Sequence, residues 1–167
     1  MPSPIGHMLA GAAAGLLVSR GRDASTFPVI VCALVAAAPD LDLVLGSGVH
    51  RGPSHSLTAA AIAGAAAWLL RAGRIGRARF ALAVAAAYAT HTVADWLSAD
   101  TTPPMGLMAL WPITREYYVA PVPIFLAVSR RYWLVDAWLV NLRALTRELL
   151  ILGPLLWIAW WVARARR

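Results

Sequence analysis

Apolar residues in this chain fall in long blocks separated by short polar breaks. The blocks run from about Ile5 to Ser19, Phe27 to Leu45, Ser56 to Leu70, Arg79 to Leu97, and Leu149 to Ala163. None alternates with period 2, so each predicts a helix rather than a strand. The first is short beside the ~20 residues that cross a bilayer as a helix. The second is interrupted near its end by Pro39-Asp40-Leu41-Asp42. The segment from Ser98 to Glu148 differs. It opens with Thr101-Thr102-Pro103-Pro104 and contains Pro112, Pro121 and Pro123, so it reads first as loop. From about Arg131 to Leu145 it turns amphipathic, with Trp133, Leu134, Trp138, Leu142 and Leu145 at helix-like spacing, which suits a helix lying in an interface or capping a bundle.

Composition turns this pattern into a membrane protein. The 167 residues are 60% hydrophobic and 14% charged, with a mean hydropathy of +0.64, more apolar than a soluble domain of this size can bury. The expected architecture is all-α: a polytopic helical membrane protein of about five spans, or four plus a re-entrant first segment, with an amphipathic extracytoplasmic segment. One domain covers 1–167, with a functional core over about 5–115 and a C-terminal extension over about 116–167.

The net charge of +7 does not point to nucleic acid. All 15 basic residues are arginine, they cluster between apolar blocks, and no basic stripe is interleaved with aromatics. Clusters of that kind act as topology determinants. Arg20 and Arg22, then Arg71, Arg74, Arg77 and Arg79, then Arg164, Arg166 and Arg167 would be cytoplasmic, which puts the N-terminus outside. Arg51, Arg115, Arg130, Arg131, Arg143 and Arg147 would lie outside. The expected location is the cell (inner) membrane, crossed several times. Cys32, the single cysteine, lies in an apolar block and is expected to face lipid or a neighbouring helix. The N-terminus lacks the positive start and the small-residue cleavage site of a signal peptide.

Threading the five blocks alternately through a membrane brings most of the histidine and embedded aspartate to one face. His7 starts the first block, Asp40 and Asp42 end the second, His50 and His55 flank the start of the third, and His91 and Asp95 end the fourth. An ionised carboxylate at membrane depth costs ~2.5–3.5 kcal/mol and requires a partner. The chain has no lysine, and Arg51 alone cannot neutralise three aspartates. A divalent cation can, and His with Asp suits zinc and several transition metals. His91 and Asp95 are four residues apart and share one helix face. Seven ligand candidates exceed what one zinc ion takes, which favours two or three ions.

Each residue also has an ordinary structural role open to it. His7 could hydrogen-bond between helices, His50 could be a loop residue, Ser54 or Ser56 an N-cap, Asp40 a helix terminator after Pro39, and Asp95 a buried hydrogen-bonding group. Arg51 could anchor at the interface. Together these alternatives account for the convergence poorly. Asp100, Glu116 and Asp136 read as solvated or structural.

The strings Pro39-Asp40-Leu41-Asp42, His50-Arg51-Gly52-Pro53-Ser54-His55-Ser56 and His91-Thr92-Val93-Ala94-Asp95 resemble those of the YdjM-like membrane-bound metal-dependent hydrolases. In that family an N-terminal His precedes PDxD, HRGxTHS and HxxxD. A Thr-rich, Gly-containing stretch then leads to Trp-Pro or Pro-Phe, matched here by Asp100-Thr101-Thr102 through Gly106 to Trp111-Pro112. The resemblance covers about residues 5 to 115. Ser54 stands where the family commonly has Thr. The ordered HRG and HxxxD pair is its specific part, and PDxD alone is weak.

The resemblance implies an all-α metal hydrolase, and the family is similar in turn to the zinc-dependent phospholipase C and single-strand nuclease superfamily. It implies zinc, with manganese as a substitute; the ligands would be His7, Asp40, Asp42, His50, His55, His91 and Asp95, which the arginine placement puts at the extracytoplasmic face. The implied reaction is hydrolysis of a phosphoester in a phospholipid or related lipid. Asp40 or Asp42 would accept the proton and Arg51 would contact phosphate oxygens. The rival readings are a metal transporter, which favours midplane sites and repeats not seen here, and a non-catalytic membrane protein with a structural metal. No HExxH supports a peptidase.

Overall fold

Ser3 and Pro4 start the first helix by two devices that sequence alone supplies. The Ser3 hydroxyl accepts from the Gly6 N–H, and Pro4 occupies a position where its missing N–H costs nothing. In the computed structural model, which describes residues 1–19, 26–46, 48–71 and 76–166, this helix α1 runs Pro4–Val18. It is followed by α2 (Thr26–Ala37), α3 (Leu57–Leu70), α4 (Arg77–Trp96) and α5 (Val135–Ala165). No strand longer than an isolated bridge occurs among the described residues. Arg20, Arg22, Arg74 and Arg167 lie outside the described residues.

Pro39 acts as the sequence suggests. The α-helix ends at Ala37 and the chain tightens into a 3-10 segment, Ala38–Leu45, which carries Asp40 and Asp42. A 3-10 turn at Pro53–His55 precedes α3, whose N-cap is Ser56: its hydroxyl accepts from Ala59 N–H. α1 sits centrally, touching α2, α4 and α5, and α3 packs on α4. Small residues permit this closeness. A Cβ on Gly11 would lie 2.6 Å from the Cys32 carbonyl oxygen of α2, so α1 and α2 meet backbone to backbone. Cys32 is fully buried there, facing helices.

One expectation changes. The amphipathic segment and the last apolar block are one helix: α5 has 31 residues, about 46 Å at 1.5 Å per residue. Thr146, Arg147 and Glu148 separate the two expected segments and Arg143 falls within the first, but polar side chains do not interrupt backbone hydrogen bonding. The two arginines point outward and Glu148 inward. The expected count of about five spans is supported in part. By length and apolarity two helical stretches can cross a membrane, Pro28–Leu45 and Val135–Ala165, while Pro4–Val18 and Leu57–Leu70 are apolar but shorter. α4 has the length, 20 residues, but carries Arg77, Arg79, His91 and Asp95. The outward faces of the helices are nonetheless apolar, with Ile30, Leu34, Ile62, Leu69, Leu82, Leu150 and Trp157 all exposed. Water would disfavour that surface and lipid would not.

The helix ends sort into two groups. Arg166 donates to the Leu17 carbonyl, joining the C-terminal ends of α1 and α5. Arg71 and Arg77 cross the α3–α4 connection to lie over Phe80 and Trp68. At the other end, residues 98–134 knit the site together. Ala120 N–H donates to Trp96 O at 2.8 Å, Met108 N–H to Arg51 O at 3.0 Å and Leu57 N–H to Ala109 O at 3.0 Å. Leu107 and Phe125 bury this stretch against the bundle.

Candidate metal centre

The start of α1, the 3-10 segment after α2, the turn before α3 and the end of α4 meet at this second end, and each delivers part of one cluster. His7 Nε2 lies 3.4 Å from Asp95 Oδ1, and His91 Nε2 lies 3.2 Å from Asp95 Oδ2. His55 Nε2 lies 3.5 Å from Asp95 Oδ2 and 3.7 Å from Asp40 Oδ1. His91 Nε2 and His7 Nε2 stand 3.8 and 3.9 Å from the Asp40 carboxylate. The His7 and His91 rings stack at 3.9 Å. All three rings are fully buried, as is Asp95; the Asp40 side chain, 15% exposed, forms the rim.

A count of lone pairs divides the seven predicted residues. Buried polar atoms in folded proteins almost always have a partner. Here His7 Nε2, His55 Nε2, His91 Nε2, Asp40 Oδ1 and both Asp95 oxygens are buried with none among the described residues. These orphaned atoms are the ones that face each other. Donors about 2.0–2.2 Å from a zinc ion stand about 3.4 Å apart in a tetrahedron, so the observed separations fit a cation. The tautomers fit as well. His91 Nδ1–H donates to Ala36 O at 2.8 Å, which leaves Nε2 with its lone pair free. His55 Nδ1 faces the Ser54 hydroxyl at 3.1 Å and Asp42 Oδ2 at 3.3 Å, with the same consequence.

Asp42 and His50 belong to a second layer. Asp42 Oδ1 lies 2.6 Å from His50 Nδ1, and its Oδ2 accepts from Ser54 Oγ at 2.6 Å. His50 Nε2 meets Met1 Sδ at 3.0 Å. Neither residue has an orphaned atom. His50 can still share a metal-sized volume with Asp40 and His55, while His7, His91 and Asp95 form an adjoining group. Burial draws the His50 ring below its ordinary pKa. For His55 burial also opposes the charge, but Asp40 and Asp42 outweigh it and push the ring up to about 9.

Arg51 is buried at the edge of this layer, in the left-handed region at φ 67°. Its guanidinium pairs with Asp100 and donates to Thr102 O at 3.0 Å. Asp100 also accepts from the N–H groups of Thr102 and Gly106. Sequence reasoning read Asp100 as solvated or structural; it is the anchor of the loop that closes the site. The phosphate contact expected of Arg51 would have to share a guanidinium already engaged on two sides.

Sequence reasoning missed Glu148 and Tyr88. Fully buried Glu148 reaches from α5 to Ser3, one turn before His7, with Ser3 N–H donating to Oε1 at 2.7 Å. An ionisable residue bordering an apolar block was the available signal. Tyr88 donates its hydroxyl to Ser54 O at 2.7 Å and fixes the turn that carries His55; nothing in its sequence context marked it.

No curated protein and no solved structure matches the chain. A family profile does, over residues 1–166, well past the 5–115 that the motifs suggested. The extension is physically reasonable, because α5 holds the start of α1 through Glu148 and packs Leu152 against Ala94. The chain belongs to the YdjM inner membrane protein family.

Proposed function

We propose that this protein is a multi-pass inner-membrane hydrolase that uses a divalent cation, zinc by its donor chemistry, to cleave a phosphoester of a phospholipid or related lipid. The observation that carries this reading is the convergence of five residues, His7, Asp40, His55, His91 and Asp95, whose buried donor atoms lack any other partner among the described residues. These five would hold the cation. Asp42 and His50 have their lone pairs and N–H groups engaged, which lowers the number of ions the cluster needs below the two or three expected from seven ligands. A divalent ion there would supply Lewis acidity to a phosphoryl oxygen and acidify water.

The chain's own residues supply the rest. Asp40 is the most exposed of the five and stands at the rim, so it is the carboxylate placed to take a proton from water on the substrate side. The same 3-10 segment exposes Leu41, Val44 and Leu45, so the rim adjoins apolar surface that suits a lipid chain. Five helices in alternation, with α1, α3 and α4 crossing in company although α1 and α3 are short, put the cluster at one face. The arginine bias makes that face extracytoplasmic. Burial of four of the five donors favours a second reading, a closed structural ion without chemistry.

The test is metal content of detergent-purified protein by mass spectrometry, beside an Asp40→Ala/Asp95→Ala double variant, followed by hydrolysis of a p-nitrophenyl phosphodiester and of labelled phospholipid. Zinc at about one equivalent or more per chain, lost in the double variant, with hydrolysis that follows the metal, is the expected result. Bound zinc with no hydrolysis of either substrate selects the structural ion. Metal-free wild-type protein that takes up none on reconstitution overturns both.

A further inference from the structure

We propose that Asp42 is a positioning residue: it holds the His55 ring by its Nδ1 edge, with His50 behind it, and does not itself ligate the ion. This rests on the metal reading above and sharpens it, because the sequence offered Asp42 and His50 as ligands on the same footing as the other five.

The geometry separates them. Asp42 Oδ2 receives the Ser54 hydroxyl at 2.6 Å and faces His55 Nδ1 at 3.3 Å, while Oδ1 lies 2.6 Å from His50 Nδ1. Three donors thus converge on one carboxylate. The Ser54 hydroxyl gives its hydrogen to Asp42 and can accept from His55 Nδ1–H at 3.1 Å, so the two groups clasp that edge of the ring together. The opposite edge, Nε2, is buried without a partner and faces Asp40 and Asp95. A carboxylate on the far nitrogen of a histidine fixes its tautomer, aims its ring and raises its basicity, and losing such a partner typically weakens metal binding 10- to 100-fold. His50 stands one step further out. Its Nδ1 serves Asp42 and its Nε2 meets the Met1 thioether, so it steadies the carboxylate from behind. Backbone placement reinforces the arrangement: Asp42 comes from the 3-10 segment after α2 and His55 from the turn before α3, and Tyr88 of α4 pins Ser54 O between them.

The experiment measures zinc stoichiometry at saturation and zinc affinity by chelator competition, with the visible spectrum of cobalt-substituted protein as a second readout. Wild type, Asp42→Ala, Asp42→Asn, His50→Ala and Asp95→Ala are compared, with the melting temperature of each metal-free protein as a fold control. Asp42→Ala is expected to keep the wild-type stoichiometry and cobalt band positions while its affinity falls 10- to 100-fold. Asp42→Asn, which can still accept from His55 through its amide oxygen, should recover part of that loss, and His50→Ala should lose less than Asp42→Ala. Asp95→Ala should change the cobalt spectrum itself. A drop in stoichiometry or a shifted cobalt band in the Asp42 variants would make Asp42 a ligand and overturn the proposal, and so would wild-type affinity in both. Should the alanine variant fail to fold, the asparagine variant carries the same comparison. Wild-type protein that binds no zinc is a separate outcome, since it removes the metal reading before Asp42 is reached.

Discussion

Glu148, 145 residues from Ser3 in sequence and outside every motif, clamps Ser3. Its Oε1 accepts the Ser3 backbone N–H at 2.7 Å and its Oε2 the Ser3 hydroxyl. The carboxylate also sits at the N-terminal end of α1, where the helix dipole favours negative charge. His7 is one turn below, and its own N–H donates to Ser3 O at 3.1 Å. The clamp therefore sets the depth at which His7 enters the cluster.

Replacing Glu148 with Ala leaves the two donors of half-buried Ser3 without their acceptor. It is expected to cost about 2–4 kcal/mol, from an orphaned N–H and hydroxyl and the loss of a charged acceptor. A melting temperature in detergent within error of wild type would contradict this. Gly6→Ala tests the same contact from the other side. A Cβ there would lie 2.5 Å from Glu148 Oε2, so Glu148 has to leave Ser3 to make room. The Gly6→Ala and Glu148→Ala losses should then be far from additive in the double variant.

Gly11 offers a harder constraint. Its neighbour is the Cys32 backbone carbonyl of α2, which cannot rotate away as a side chain does. Gly11→Ala is expected to push α1 from α2 and destabilise by about 1–3 kcal/mol. Gly11→Val should be worse; equal stability for all three proteins would show that the helices are not in backbone contact.

Arg51 and Asp100 form a buried pair whose halves depend on one another. Arg51→Ala strands a carboxylate among loop N–H groups, and Asp100→Ala strands a buried guanidinium. Each single change is expected to cost about 3–5 kcal/mol. The double change should cost less than the sum, which a double-mutant cycle by thermal or denaturant unfolding reads directly. Strict additivity would deny the pair. Arg51→Lys should not restore stability, since one ammonium cannot reach both Asp100 and Thr102 O in the planar fork that Arg51 uses.

His55 lies in the 3-10 turn outside the α-helices, and Asp40 and Asp42 raise it from 6.5 to about 9 against its burial. A group raised on folding stabilises fully below its unfolded value and loses that contribution as pH climbs through the folded one. Chelator-treated protein should therefore lose stability from about pH 6.5 to about pH 9, and His55→Gln should flatten that part of the profile. Melting temperatures that climb across the same window would reverse the sign and exclude a charged His55.

Much of the architecture is legible in the sequence. Apolar block length and the absence of period 2 located four helices to within a few residues and the C-terminal half of the fifth, because lipid leaves the backbone few other ways to satisfy its hydrogen bonds. Pro39 marked the switch out of α-helix at Ala37, and Ser56 the start of α3, since both act through local backbone chemistry. The join between 131–145 and 149–163 was misread because Glu148 was counted as a polar break, when its burial depends on Ser3 at the other end of the chain.

What the sequence determined by itself was the helical fold class and the gathering of His7, Asp40, Asp42, His50, His55, His91 and Asp95 at one end. Both follow from local terms: the period of the apolar blocks, and the cost of leaving charge unpartnered at membrane depth. What only the tertiary structure decided was which atoms of those seven residues are free. Asp42 is occupied by Ser54, His50 and His55, Arg51 by Asp100, and the inner edges of His7, His55, His91, Asp40 and Asp95 by nothing among the described residues. A hydrogen bond is satisfied within about 3 Å in space whatever the separation in sequence, so the division between ligand and support is settled when the four segments meet.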